Sequence, residues 1–315
     1  MAIATDIIND CINKTKSRFF PLNKEWFKLG LISMLSTQGG SGNVSSNLTN
    51  TVNLPGVGGF IKKNLVYILS GAGILMLFGL FWKIISLTFS FIFIDAVVAK
   101  NNLIVEGFKK HIRKGFSVFL LTLIAWFANL IFLGSLSLPI LLPLVRNLDN
   151  LGWELFSIPY IIFFAAIFVF DIIVFGFFFW FVRSIVMYDM YRKNKLIIDS
   201  LKRAFGFLRK DFVEVLVFFL MHFLLGIVAG IIMLIAIVLL LIPFGIVGLI
   251  FALILIPLAI SVGAYWLFIA IGGLIAFILI LLFAYFSNVV LLPVRGFFIN
   301  YSYTFVDNLS RKYNM

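Results

Sequence analysis

The stretch that decides the fold class runs from residue 212 to residue 294 and reads FVEVLVFFLMHFLLGIVAGIIMLIAIVLLLIPFGIVGLIFALILIPLAISVGAYWLFIAIGGLIAFILILLFAYFSNVVLLPV. Glu214 and His222 are its only ionisable groups apart from tyrosines. A helix needs about 20 apolar residues to cross the roughly 30 Å hydrocarbon core of a bilayer. The stretch is too long for one crossing, and we predict three, separated near Pro243 and at 261–265.

Three further apolar runs precede this stretch, at 65–94, 116–144 and 158–182. The whole chain is 63% hydrophobic and 12% charged, whereas a soluble domain has about 25% charged residues. This composition excludes an ordinary soluble enzyme, a disordered chain and a fibrous repeat. We therefore predict an all-α, polytopic transmembrane bundle of about six spans, located in the cell (plasma) membrane.

The segments at the two ends of the chain differ from this bundle. Residues 1–64 contain a predicted N-terminal amphipathic helix, a Gly/Ser/Asn-rich loop and, at 26–35, an apolar stretch too short to cross. That short stretch is typical of an interfacial or re-entrant helix. We assign the bundle to 65–294 and a C-terminal tail to 295–315. The charge pattern leaves open on which side of the membrane each terminus lies.

Basic residues concentrate in two of the predicted loops. The 95–114 loop has five basic and two acidic residues, and the 183–211 loop has eight and three. The 145–157 loop has one basic and two acidic residues. Because cytoplasmic loops are enriched in Lys and Arg, we place the first two loops inside and the third outside. The net charge of +12 is then mainly an orientation signal, and we expect no nucleic-acid partner.

The two basic loops also resemble each other. KNNLIVEGFKK at 100–110 aligns with KNKLIIDSLKR at 193–203, with a constant offset of 93 residues. The order span, basic amphipathic helix, span occurs in both copies, at about 65–144 and 158–242, and a final hairpin follows at 243–294. Since both loops lie on one side, the internal repeat is parallel. A basic amphipathic helix is typical of a membrane interface with anionic lipid.

Five short stretches carry a resemblance to a known family: RFFPLNKEWFKLG at 18–30, GGSG at 39–42, VEGFKKHIRKGF at 105–116, FVRSIVMY at 181–188 and PVRGFFINY at 293–301. In this order they resemble a family of uncharacterised prokaryotic, largely archaeal, multispanning membrane proteins of unknown function. The resemblance covers nearly the whole chain and implies an archaeal-type plasma-membrane protein. It supplies no activity, substrate or catalytic residue.

A few polar side chains fall within the predicted spans. Ionisable groups at membrane depth are costly and are candidate functional sites. We predict that Lys83, Asn129, Asp171 and His222 form an intramembrane polar centre, in which Asp171 contacts one of the other three across a helix interface. The alternative interpretation is that these groups only hold the helices together by hydrogen bonds.

The candidate contact surface consists of basic residues from the two loops. We predict contact with anionic head groups at the cytoplasmic face, or with a partner, through Lys109, Lys110, Arg113, Lys114, Lys202, Arg203, Arg209 and Lys210. A protein partner and a second copy of the chain are both open as further partners. With one cysteine, two histidines and no recognisable catalytic motif, we expect no metal site, no cofactor and no enzymatic activity.

The hypothesis is therefore a non-enzymatic structural or accessory membrane protein, a scaffold that docks a partner complex or anionic lipid. The alternative is a transporter or channel for a small or lipophilic solute that uses the polar centre.

Overall fold

A computed structural model describes residues 3–20, 25–36, 57–101, 103–146, 158–262 and 265–314. These residues contain no strand, which confirms the all-α prediction. The helices are α1 (Ile3–Asp6), α2 (Ile8–Phe19), α3 (Glu25–Leu35), α4 (Val57–Val98), α5 (Ile104–Arg146), α6 (Ile158–Phe181), a π-helical turn (Val182–Val186), α7 (Met187–Lys193), α8 (Ile197–Lys210), α9 (Phe212–Val262), α10 (Tyr265–Val290) and α11 (Leu292–Lys312).

Five continuous helical stretches of the described residues are long and apolar enough to cross a membrane, the third of which runs from α6 through the π-helical turn into α7: Gly73–Val98, Ile104–Leu136, Ala165–Lys193, Phe212–Val262 and Trp266–Val290. The sequence predicted about six, because it placed an interruption near Pro243. Instead, α9 continues through Pro243 and Pro257. Proline removes only one backbone hydrogen bond of a helix, and apolar helices tolerate that loss where neighbours re-satisfy the freed group. The interruption predicted at 261–265 does separate α9 from α10.

Two long antiparallel pairs organise the chain. In the first, α4 packs along α5. In the second, α10 and then α11 follow α9 in the opposite direction. Phe244 of α9 meets Phe283 at 5.5 Å between ring centroids, whereas Phe218 meets Phe305 at 3.9 Å. The C-terminal helix therefore lies beside the beginning of α9.

The packed core lies at one end of the bundle. We call it the basic end, the end at which α4 meets α5 and α7 meets α8. Phe91, Ile185, Phe207 and Tyr301 are fully buried there. Helices from both ends of the chain contribute to this core. The hydroxyl of Tyr301 in α11 donates a hydrogen bond to the carbonyl of Ala4 in α1 at 3.0 Å. Both terminal helical regions therefore belong to the basic end.

The predicted tail at 295–315 is for the most part helix α11, and its inner face is buried. The predicted N-terminal amphipathic helix corresponds to α2, whose Cys11, Thr15 and Phe19 are buried, and α2 packs against α11. The predicted interfacial or re-entrant segment is α3, which packs against α10 and α4. The apolar faces of α2, α3 and α11 are therefore buried against other helices of the protein. Most of the predicted Gly/Ser/Asn-rich loop lies outside the described residues.

Candidate functional site: a cationic cavity at the basic end

The structure places the four residues of the predicted polar centre in different surroundings. Lys83 lines a cavity of about 180 Å³ with Thr122 and Arg183. His222 lies among aromatic rings, 4.9 Å from Phe298 between ring centroids. Among the described residues, no hydrogen bond or ion pair joins Asp171 to Lys83, Asn129 or His222.

Asp171 and Asn129 carry buried oxygens that lack a partner. The Oδ1 atoms of both side chains have no hydrogen-bond partner within the described part of the chain. The Asp171 side chain is nevertheless buried, and none of the other three residues of the predicted centre contacts it through a hydrogen bond within the described residues.

Two arginines that the sequence analysis did not select converge on one cavity. This cavity measures about 300 Å³. It is lined by Trp180, Arg183, Ser184, Tyr188, His222, Met233, Arg295, Phe298 and Ser302. Ser184, Tyr188 and Ser302 are buried. The cavity therefore combines two guanidinium groups, three hydroxyls and an imidazole.

Local structure positions both arginines. Arg183 lies in the π-helical turn Val182–Val186, and such wider turns inside α-helices are frequent at functional sites. Arg295 lies in the first turn of α11, which begins at Leu292 and has Pro293 among its first residues. Its Nη1 atom donates to Ser33 Oγ at 2.7 Å and to Asn288 Oδ1. These contacts hold the guanidinium beside the cavity.

The electrostatic environment of the cavity is positive. Burial, together with the charge of Arg183, lowers the pKa of Arg295 to about 10. Arg295 is still protonated at neutral pH. No carboxylate is found among the residues lining the cavity in the described part of the chain. An anion is therefore the ligand class that this cavity favours.

A second, apolar cavity adjoins the first. It measures about 400 Å³ and is lined by Trp180, Phe219, His222, Phe223, Gly226 and Ile227. Trp180 and His222 line both cavities. None of the three cavities described so far is lined by Asp171. Cationic groups and an apolar groove are therefore adjacent, whereas the predicted acidic centre lies elsewhere.

The eight predicted contact residues divide into two sets. Lys109, Arg113, Lys202, Arg209 and Lys210 are exposed. Lys110 is exposed too, and its Nζ lies 3.2 Å from Asp95 Oδ2. Lys114 is instead buried, 6.0 Å from the ring centroid of Tyr191. Arg203 lies 2.6 Å from Asp189 and is largely covered.

The sequence did contain a signal for the two arginines. Arg183 is the only charged residue in the stretch 172–188, and Arg295 is the only one in 215–306. In the sequence analysis, Arg183 belongs to the basic 183–211 loop and Arg295 to the C-terminal tail. Their pairing is not visible in the sequence because they lie on different helices, far apart in the chain.

A cysteine thiol and clusters of metal-binding side chains are two further kinds of candidate site. Cys11 is buried, and burial raises the pKa of its thiol to about 11. At neutral pH the thiol is protonated and a poor nucleophile. Within the described ranges, no group of three or more His, Cys, Asp or Glu side chains lies close enough together to hold a metal ion.

The fold and the five apolar helices fit a multi-pass helical membrane protein. A family profile matches residues 2–315, and the chain belongs to that family, described as a family of unknown function (DUF7544). No match was found among curated proteins or among solved structures.

Proposed function

We propose that this chain is a non-enzymatic plasma-membrane protein whose basic end, on the cytoplasmic side, docks anionic lipid and thereby serves as a scaffold. The observation that carries the proposal is a pair of matched, outward-facing stripes. In α5 the stripe contains Val105, Lys109, Ile112 and Phe116, and in α8 it contains Ile198, Lys202, Phe205 and Arg209. Corresponding members are 93 residues apart.

The buried residues of α5 and α8 also correspond to each other at an offset of 93 residues. Gly107, His111 and Lys114 are buried on α5, and their counterparts Ser200, Ala204 and Phe207 are buried on α8. The exposed faces also agree, since Val105 is 70% exposed and Ile198 is 66% exposed. Equivalent placement of both faces supports a parallel structural repeat in which the two stripes have the same role.

Ion pairs at the basic end support the same equivalence. Asp95 near the end of α4 pairs with Lys110 of α5, and Asp189 of α7 pairs with Arg203 of α8. Each pair joins one helix to the helix that follows it in the chain. In each pair the basic side chain reaches a buried carboxylate, with Arg203 largely covered and Lys110 still half exposed, while the preceding Lys109 and Lys202 face outward.

The chemistry of the stripes suits a membrane interface. Apolar side chains enter the boundary between head groups and acyl chains, while basic side chains attract anionic head groups. Each Lys or Arg near an anionic leaflet contributes about 1 kcal/mol. The positive-inside rule supports a cytoplasmic location for this end, and the packing of α2 and α11 there supports the same side for both termini.

The proposal is tested with the full-length protein in nanodiscs of phosphatidylcholine with or without phosphatidylglycerol. We expect the thermal midpoint to rise with the anionic lipid and this rise to fall with salt. The triple variant Lys109→Gln, Lys202→Gln, Arg209→Gln should lose most of the rise.

A matched control removes three exposed charges from the N-terminal helices, as Lys14→Gln, Lys16→Gln and Lys28→Gln. This control should keep the rise. An equal loss in both triple variants would mean that net charge, rather than the stripes, causes the effect, and it would overturn the proposal.

A further inference from the structure

We infer that the cavity between Arg183 and Arg295 and the apolar cavity beside it form one binding site for a single anionic phospholipid. The phosphate binds to the two guanidinium groups, and an acyl chain lies along α9 at Gly226. This inference goes beyond the proposed function, because it concerns an internal site and not the outward stripes.

The polar half of the site matches a phosphate. A guanidinium presents planar, paired N–H donors that match phosphate oxygens two at a time. The two guanidinium groups line the same cavity of about 300 Å³, together with the buried hydroxyls of Ser184 and Tyr188. These groups supply several donors to one anion from two helices and the π-helical turn.

Charge gives the ligand a reason to bind. Two like charges close together away from water destabilise each other, and here the charge of Arg183 helps to lower the pKa of Arg295. A bound anion offsets this repulsion. The site should therefore favour a ligand with net negative charge over a zwitterion of the same shape.

The apolar half of the site matches a hydrocarbon chain. Phe219, Phe223 and Ile227 line it, and a Cβ atom added at Gly226 would meet no atom within 4 Å. Phe223 and Ile227 are 58% and 49% exposed in a segment that is apolar enough to lie in a membrane. A chain can thus enter sideways from the bilayer.

The two halves are adjacent and have a suitable size. Trp180 and His222 belong to both linings, so a head group in one cavity and a chain in the other would lie next to each other. The volumes of about 300 and 400 Å³ fall within the usual range for small-molecule sites, roughly 300–1,000 Å³. A free inorganic anion would occupy only the polar half.

The experiment measures lipid binding to the purified full-length protein in neutral detergent by native mass spectrometry. The probes are phosphatidylglycerol, phosphatidylcholine and glycerol phosphate, which separate the contributions of charge and chain. We expect one phosphatidylglycerol to bind at least about tenfold more tightly than either other probe, a difference of about 1.4 kcal/mol.

Variants of both halves locate that binding. Arg183→Gln and Arg295→Gln should each weaken phosphatidylglycerol binding about tenfold or more. Gly226→Leu fills the apolar groove and should weaken it similarly. Gly230→Leu is the matched control, since a Cβ at Gly230 also meets no atom within 4 Å and Gly230 does not line the groove.

Each contrary result has a definite meaning. Unchanged phosphatidylglycerol binding in Arg183→Gln would overturn the inference, as would equal effects of Gly226→Leu and Gly230→Leu. If glycerol phosphate binds as well as the lipid, the ligand is a free phosphate and the lipid assignment is wrong. If the arginine variants do not fold, the comparison of the two glycine variants still decides whether the inference holds.

The stripe variant Lys109→Gln, Lys202→Gln, Arg209→Gln should leave phosphatidylglycerol binding at this site intact. This result distinguishes the internal site from the stripes of the proposed function.

Discussion

The basic end and the distal arm of the molecule follow opposite packing rules, although both are rich in aromatic and aliphatic residues. We define the distal arm as the part of α9 and α10 between residues 223 and 290. At the basic end, Phe305 is fully buried and stacks on Phe218. In the distal arm, Leu234 is 64% exposed, and no residue in the most apolar window of α10 is buried.

This difference shows that hydrophobicity alone does not locate the core of such a protein. Lipid tails are about as apolar as leucine, so apolar residues in a membrane gain little by leaving lipid for another helix. At the basic end the chain excludes water and must satisfy polar groups as well. Specific contacts, such as the donation from Ala4 N to Glu214 Oε1 at 3.0 Å, therefore determine the tertiary structure there.

Truncating one phenylalanine in each region should separate the two rules most clearly. Phe305→Ala leaves a cavity in a packed core and should lower the free energy of unfolding by about 3–5 kcal/mol. Phe277→Ala lies in the distal arm, where Phe277 is 59% exposed, and should change it by no more than about 0.5 kcal/mol. Equilibrium unfolding in mixed micelles measures both, and similar losses would contradict the comparison.

Removing a partner from each of the two ion pairs tests the basic end alone. Asp189 is fully buried, and Arg203 covers it. Arg203→Gln leaves that carboxylate without its cation and should lower the free energy of unfolding by about 3–5 kcal/mol. In the other copy, Tyr191 also donates to Asp95, at 2.7 Å, and the Lys110 side chain is 54% exposed.

For that reason Lys110→Gln should cost no more than about 1 kcal/mol. The same unfolding experiment measures both variants in parallel. Equal costs would indicate that the two pairs have equal burial in solution, against the structure.

The sequence predicted the helical architecture well because apolar runs and helix lengths follow directly from bilayer thickness. The predicted interruption at Pro243 was wrong. A proline in the sequence indicates only a local loss of one backbone hydrogen bond, whereas the continuity of α9 depends on the whole helix and its neighbours. It also treated α11 as a tail. Asn300, Ser302 and Thr304 make that segment look polar, yet all three are buried.

The site was harder to predict than the fold for a similar reason. Ionisable groups have a high free-energy cost at membrane depth, and for this reason the sequence analysis selected Asp171 and His222. Of these two residues, only His222 lines the cationic cavity. Hydropathy places residues along a helix axis and gives no information on which helices meet. The pairing of Arg183 with Arg295 depends on α11 lying beside the π-helical turn.

Asp171 offers a smaller test of the comparison, because it is a buried polar group outside the basic end. Its Oδ1 atom has no partner among the described residues. Replacing a buried, unsatisfied polar group by an apolar one recovers its desolvation penalty. We therefore expect Asp171→Leu to raise the free energy of unfolding by about 1–3 kcal/mol.

The neighbouring Ile172→Leu, at a position that is 55% exposed, should leave stability unchanged and serves as the control. A clear loss of stability in Asp171→Leu would show that a partner engages Asp171 in solution. It would restore the polar centre that the sequence predicted.

The smallest expected effect concerns the junction of α8 and α9, where the basic end meets the C-terminus. Asp211 Oδ2 accepts hydrogen bonds from Lys312 Nζ at 2.5 Å and from the Tyr313 hydroxyl at 2.8 Å. The bond from Lys312, followed by the one from Tyr313, lowers the pKa of Asp211 below its ordinary value. These contacts stabilise the ionised form of Asp211 in the folded protein.

A lowered folded-state pKa fixes the sign of the pH dependence. The stabilisation is present above the unfolded-state pKa of Asp, about 3.9, and is lost as the pH falls through the lower folded value. Hydrogen exchange of residues 305–314, corrected for intrinsic rates, should therefore be constant from pH 7 to pH 5 and accelerate below about pH 4. Asp211→Asn should already show the faster exchange at pH 7, whereas the exposed Asp199→Asn should behave like the natural chain. If Asp211→Asn exchanges normally at pH 7, the end of α11 is held by its buried face alone, and the contrast between the two regions rests on apolar packing without help from this surface contact.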